Sequence, residues 1–232
     1  VTVILHHASG YWPGADGIEN AERPNQNFGF AAGGLYSTTE DLLRWEEGLF
    51  GGKVLTPVSL RKMTTPFKHA IFNHDYACGL YVYRENGRLV IDYDGNGIGF
   101  NAQMAYYPEE KLAVIVLANL NGIVTGKINT ALAAAVHGEA VASTSPPKEI
   151  AVPKEVLARY AGTYEFSDGR VTFTLDGSHL MRGANCPLFA ESETKFFSKA
   201  WDVQDEFSKN DKGEFVFVTE HFNGENAKGT RK

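Results

Sequence analysis

Few residues in this chain combine types and spacing that could do chemistry. The densest group is Tyr93-Asp94-Gly95-Asn96-Gly97-Ile98-Gly99-Phe100, where a phenol, a carboxylate and a carboxamide stand in a glycine run with bare backbone. Asp92 and Asp94 are two apart, so on a strand their carboxylates share a face, as a general acid/base pair requires, although a turn is expected directly after them. Ser-x-x-Lys, a hydroxyl nucleophile with an amine partner, occurs at Ser59 to Lys62, Ser145 to Lys148 and Ser192 to Lys195. So many occurrences show how little four positions specify. The first falls in a predicted helix, the second in a proline-rich stretch and the third among later strands, and none is expected to be a nucleophile. Ser9-Gly10 lacks the flanking glycine of a Gly-x-Ser-x-Gly elbow. No Tyr-x-Asn occurs, and the one Ser-x-Asn, Ser208 to Asn210, sits at a predicted turn. Cys78 and Cys186 are far apart, and no two histidines stand at i, i+4, so two separate thiols, no metal and no cofactor are expected. His6-His7 reads as an exposed pair.

The elements that must carry these residues follow from pattern. Glycines and prolines crowd residues 1–34, which reads as irregular loop. Ser37 and Thr38 with acids three positions on, then Leu42, Trp45 and Leu49 at helical spacing, predict an amphipathic helix. Thr56-Pro57 opens a second helix that ends before Pro66. Leu80 to Arg84 and Arg88 to Tyr93 flank Asn86-Gly87, a hairpin signal, and strands follow at Ala102 to Tyr107 and Leu112 to Ala118. The run Leu112 to Leu117 is apolar enough to predict burial on both faces. A helix over Thr125 to His137 should cover the sheet. Residues 139–152, rich in Ala, Ser, Thr and Pro, read as a linker between a domain at 1–138 and one at 153–232. Beyond the linker, short alternating segments separated by Asp-Gly, Lys-Gly and Asn-Gly predict a small all-β barrel. The expected class is therefore α+β: an antiparallel sheet with flanking helices, then the barrel.

Composition excludes some partners. The 232 residues are 43% hydrophobic with a formal net charge of -6 and no Lys/Arg run, so neither nucleic acid nor a membrane surface is expected. The apolar runs are shorter than the roughly 20 residues a membrane span needs.

Several segments together resemble a known family. Ala32-Gly33-Gly34-Leu35-Tyr36-Ser37-Thr38, then Glu40-Asp41-Leu42 and Trp45, is similar to a segment of the β-lactamase-like serine hydrolases, which include class C β-lactamases, DD-peptidases and related esterases. Cys78-Gly79-Leu80, the Tyr93 to Phe100 run, Tyr107-Pro108-Glu109 and Val114 to Asn119 resemble later family segments in the same order and spacing. Leu157 to Tyr164, with Leu188-Phe189, Phe196-Phe197 and Phe207, is similar to the lipocalin-like barrel often appended to such enzymes.

The resemblance implies hydrolysis of an amide or ester through an acyl-enzyme, with a small-molecule or peptide-like substrate. It places Tyr93 and Asp94 in the family's third motif, where Lys or His is usual, and makes Gly95, Asn96 and Gly97 the oxyanion and substrate-binding edge. Asn96 then offers the oxyanion N–H. It also implies that the nucleophile, Ser-x-x-Lys, and the Tyr-x-Asn element lie upstream, so the chain is expected to be the C-terminal portion of an enzyme and inactive alone. Uncovered apolar surface should then drive self-association. An extracytoplasmic bacterial setting fits the family's cell-wall chemistry. The competing reading is a non-catalytic module that binds a ligand or partner on a hydrolase scaffold.

Overall fold

The computed structural model describes residues 6–14, 17–22, 26–71, 74–122, 124–141, 147–184, 186–201, 203–222 and 225–232. In chain order they form β1 (Tyr11–Gly14), β2 (Gly17–Asn20), α1 (Gln26–Gly33), α2 (Thr39–Phe50), α3 (Pro57–Thr64), β3 (Phe67–Ile71), β4 (His74–Tyr76), β5 (Tyr81–Glu85), β6 (Arg88–Gly97), β7 (Phe100–Tyr107), β8 (Leu112–Ala118) and α4 (Val124–Val136). After α5 (Lys154–Leu157) come β9 (Gly162–Phe166), β10 (Gly169–Asp176), β11 (His179–Arg182), β12 (Pro187–Ala190), β13 (Lys195–Phe197), β14 (Val203–Lys209), β15 (Phe215–Phe222) and β16 (Glu225–Arg231). The chain is α+β and divides into two compact units. One holds Val1–Ala8, Glu22–Asn119 and Thr125–Ala142, and the other holds Ser9–Ala21, Leu120–Val124 and Ser143–Lys232.

The first unit is built on an antiparallel sheet of order β3-β4-β5-β6-β7-β8. Asn86 and Gly87 both take positive φ, 49° and 83°, which is what a two-residue hairpin turn requires between β5 and β6. Two helices start as their caps dictate: Thr38 Oγ1 accepts from the Asp41 amide at 3.2 Å, and Thr56 Oγ1 from the Ser59 amide at 3.2 Å with Pro57 next in line. On one side of the sheet Val90, Ala105, Tyr107 and Val114 are buried with Ala133 of α4, and Asn129 of that helix donates to the Val114 carbonyl at 2.9 Å. Elsewhere Phe50 of α2 stacks on Tyr106 at 4.0 Å, and Phe50 also packs on Ala77, Val82 and Ile91. Arg88 links Glu110 and Glu139, while His137 meets Glu110 at 2.6 Å, so an ion-pair network ties the β7–β8 turn to the end of α4.

In the second unit the eight strands β9 to β16 close into an antiparallel barrel. Its interior is filled by rings: Tyr160, Tyr164, Phe173, Phe196 and Phe207 are almost fully buried, with Tyr160 stacked on Phe207 at 4.5 Å. Period-two alternation sends Val203, Asp205 and Phe207 of β14 inward. The inward polar position is balanced by Arg182, whose guanidinium bridges Asp205, at 3.3 Å, and Glu220.

Three expectations are corrected. Tyr11–Gly14 and Gly17–Asn20 pair as the short antiparallel strands β1 and β2, and a helix, α1, follows them, broken where Phe30 takes φ 38°. Four-residue strands are too short for periodicity to show among so many glycines. The run Leu112 to Leu117 is only partly covered, with Leu117 39% exposed, because β8 is the sheet's edge among the described residues. Thirdly, β6 does not turn after Asp94 but stays paired with β7 as far as Gly97. The short strands β3 and β4 carry no distinct sequence signal. Ser145 lies outside the described residues.

Candidate active site

The glycine run sits at the end of β6. This strand pairs with β7 throughout, from Ile91↔Tyr106 to Gly97↔Phe100, but with β5 only as far as Tyr81↔Asp92. From Tyr93 to Gly97 its other edge therefore has no neighbouring strand among the described residues, and all five residues are exposed. The two-residue turn Ile98-Gly99 makes Gly97↔Phe100 the closing pair of the hairpin. Counting back along an antiparallel ladder, the backbone N–H and C=O groups of Asp94 and Asn96 then face the open edge. This is the geometry of a backbone donor offered to a ligand.

Asn101, which pattern reading passed over, anchors this edge from behind. It is buried, donates to the Gly95 carbonyl at 3.0 Å, and accepts at Oδ1 from the Thr125 amide at 3.2 Å and the Thr125 hydroxyl. Replacing Asn101 with Ala leaves these buried groups unpaired, so a loss of about 1–3 kcal/mol is expected in urea denaturation. Faster amide exchange at Thr125, whose N–H loses its acceptor, should accompany it.

The two acids proposed as a pair are in different surroundings. Asp92 is buried, its Oδ2 accepting from Tyr83 Oη at 2.7 Å and Gln103 Nε2 at 3.2 Å, whereas Asp94 is exposed. Burial, then the Asp92 charge, pushes the Tyr83 phenol well above its usual range. Tyr93 stands in a cluster of phenols, stacked on Tyr81 at 6.0 Å, with Tyr76 edge-on to Tyr81 at 5.0 Å. Tyr76 is raised by burial and by the neighbouring Tyr93 and Asp94, and Tyr81 by burial and by Asp94. At the far end of the strand His7 sits edge-on to Tyr36 and Phe100, at 5.5 and 5.9 Å. No single spacing could have revealed that meeting.

On the face Tyr93 shares with Ile91 and Met104 lies a cavity of about 50 Å³, to which Trp45, Glu46 and Leu49 of α2 also contribute. Glu46 is 7% exposed, and its Oε2 has no hydrogen-bond partner. Burial pushes this carboxyl up to about 7.

The serines of the three Ser-x-x-Lys matches serve local structure where they are described. Ser59 Oγ is bonded to Thr56 Oγ1 at 3.1 Å, and Ser192 Oγ accepts from the amides of Thr194 and Lys195. The Lys195 ammonium pairs with Glu191. Among the described residues no group of three or more His, Cys, Asp and Glu side chains could hold a metal ion.

The model of the beta-lactamase family matches residues 4–138, more than half of the chain. This chain belongs to the beta-lactamase family. A relative within its wider kin, penicillin-binding protein 4* of Bacillus subtilis (strain 168), is 27% identical over 203 residues, covering 80% of this chain and 44% of that protein. Among solved structures, the octameric penicillin-binding protein homologue from Pyrococcus abyssi matches with a TM-score of 0.51 at 22% identity, over 95% of this chain and 53% of its own. D-amino acid amidase from Ochrobactrum anthropi SV3 matches with a TM-score of 0.52 at 23% identity, over 60% of this chain and 44% of its own. At such identities these two bear on the fold. This beta-lactamase-family chain spans about half the length of the relatives it matches.

Proposed function

We propose that this chain supplies one wall of a serine acyl-transfer site that hydrolyses an amide or ester, and that the nucleophile, its lysine and the Tyr-x-Asn element come from residues outside it. The observation that carries the reading is the open edge Tyr93–Gly97, exposed and with the Asn96 N–H turned outward. An oxyanion developing beside that N–H gains stabilisation without any rearrangement, because Asn101 already fixes the strand. In this reading Tyr93 and Asp94 border the substrate, and Gly95 to Gly97 let it approach the backbone.

The experiment is direct. The chain is incubated with a chromogenic cephalosporin, a p-nitrophenyl ester and a fluorescent penicillin, and followed by absorbance and mass spectrometry. Neither turnover nor an adduct is expected. A stoichiometric adduct on one of the chain's own serines overturns the proposal.

Self-association belongs to the same reading. Ile128, Leu132 and Val136 form an exposed stripe at i, i+4, i+8 on α4, and Leu35 and Phe30 are more exposed still, at 92% and 83%. The Pyrococcus abyssi homologue, described as octameric, is a precedent. Light scattering at micromolar concentration should report a mass above that of one chain, and a monomer counts against it. The non-catalytic alternative draws less support, since the barrel interior is filled by stacked rings.

A further inference from the structure

Glu46 is unexplained by the fold. A carboxylate that is 7% exposed normally has a cation or several donors, because burying an unpaired charge is costly. Here Oε2 accepts no hydrogen bond among the described residues, and no ion pair of this side chain is present there. The group is not sealed in a dry core, however. It lines a cavity of about 50 Å³ whose other walls include Trp45 and Tyr93, which are 47% and 42% exposed. That is room for a small polar group, since one water needs only about 10–15 Å³ measured this way. Aromatic side chains at the rim and a carboxylate inside are the two features that recognise an ammonium ion.

We propose that this cavity is a subsite for a primary ammonium group, with Glu46 as its counter-ion and the rings of Trp45 and Tyr93 at its entrance. The position gives the subsite its meaning. Tyr93 begins the open edge of β6, so an ammonium held by Glu46 lies beside the backbone groups assigned to the substrate. Neither Glu46 nor Tyr93 offers a cation for a substrate carboxylate. The substrate class is therefore an amine-bearing amide or ester, such as an amino-acid amide, in preference to an anionic acyl compound. Asp92 takes no part, because alternation along β6 places its carboxylate on the opposite face with Tyr83 and Gln103.

This assignment rests on the proposed acyl-transfer role for its substrate class, but its binding test needs no nucleophile. The full chain, 15N-labelled at the indoles of its three tryptophans, is titrated separately with ethylammonium chloride, ethanol and sodium acetate. Ethylammonium should shift the Trp45 indole signal saturably, while ethanol and acetate bind at least tenfold more weakly. Glu46→Gln should weaken the ammonium response at least tenfold. Tyr93→Leu, which leaves the carboxylate in place, should weaken it several-fold and serves if the first variant does not fold. Equal responses to the three probes, no response to ammonium, or full affinity in Glu46→Gln overturns the subsite. A chain that binds ammonium yet takes no part in acylation keeps the subsite and sinks only the hydrolase reading. An acylating assembly indifferent to ammonium does the reverse.

Discussion

Replacing Arg182 with Met is expected to destabilise the barrel unit by about 3–5 kcal/mol at pH 8, the range for removing one partner of a buried ion pair. Asp205 and Glu220 stand directly opposite each other on β14 and β15, and Asp205 is fully buried. Like charges facing across a ladder repel, and the Arg182 guanidinium between them converts that repulsion into attraction. Methionine fills the volume but leaves two facing carboxylates, so the cost comes from charge and not from a cavity. Burial pushes the Asp205 carboxyl up to about 6, with Arg182 and His221 pulling the other way. A folded pKa above the unfolded one means that stability falls as pH rises from about 4 through 6. Without Arg182 this fall steepens and extends upward. The deficit of the variant should therefore be small at pH 4.5, where Asp205 carries its proton, and largest at pH 8. Urea denaturation followed by a barrel-specific signal at the two pH values measures it, and an equal deficit at both refutes the electrostatic account.

The second large effect is a gain. Burial disfavours the Glu46 charge and pushes its carboxyl from the ordinary 4.5 up to about 7 in the folded chain. The folded state thus holds the proton more tightly, and stability is lost as pH rises from about 4.5 to beyond 7. At 1.36 kcal/mol per pKa unit this amounts to on the order of 3 kcal/mol. Glu46→Gln cannot ionise and escapes the loss, so its stability relative to the parent should rise by that amount between pH 4.5 and pH 8. Tyr106, raised by burial and then by the Glu46 charge, remains a neutral phenol over this window. The gain identifies Glu46 as a residue that weakens the fold, which is the pattern expected of a binding group. A flat difference across the same range refutes it.

Much of the scaffold was legible because local rules fixed it. Thr38 and Thr56 as caps, Asn86-Gly87 as a hairpin turn and the apolar runs of β7 and β8 are decided within a few residues, so the sequence alone determined α2, α3 and the order of the central strands. The family likeness marked Tyr93 to Gly97 as one contiguous edge, whereas pattern ended the strand at Tyr93 and expected a turn after Asp94.

What only the tertiary structure decided depends on partners distant in the chain. Whether β6 ends in a turn or an open edge follows from where β5 stops, at Tyr81 opposite Asp92. Asp92 and Asp94 look alike in the sequence, and the neighbours Tyr83 and Gln103 make one a buried acceptor while the other stays in water. Glu46 falls on the apolar face of α2, four residues after Leu42, but only the sheet packed against it removes its water. Pattern reports which face of an element is apolar, whereas the energy of a charge depends on everything within several ångströms of it, which no single stretch of sequence specifies.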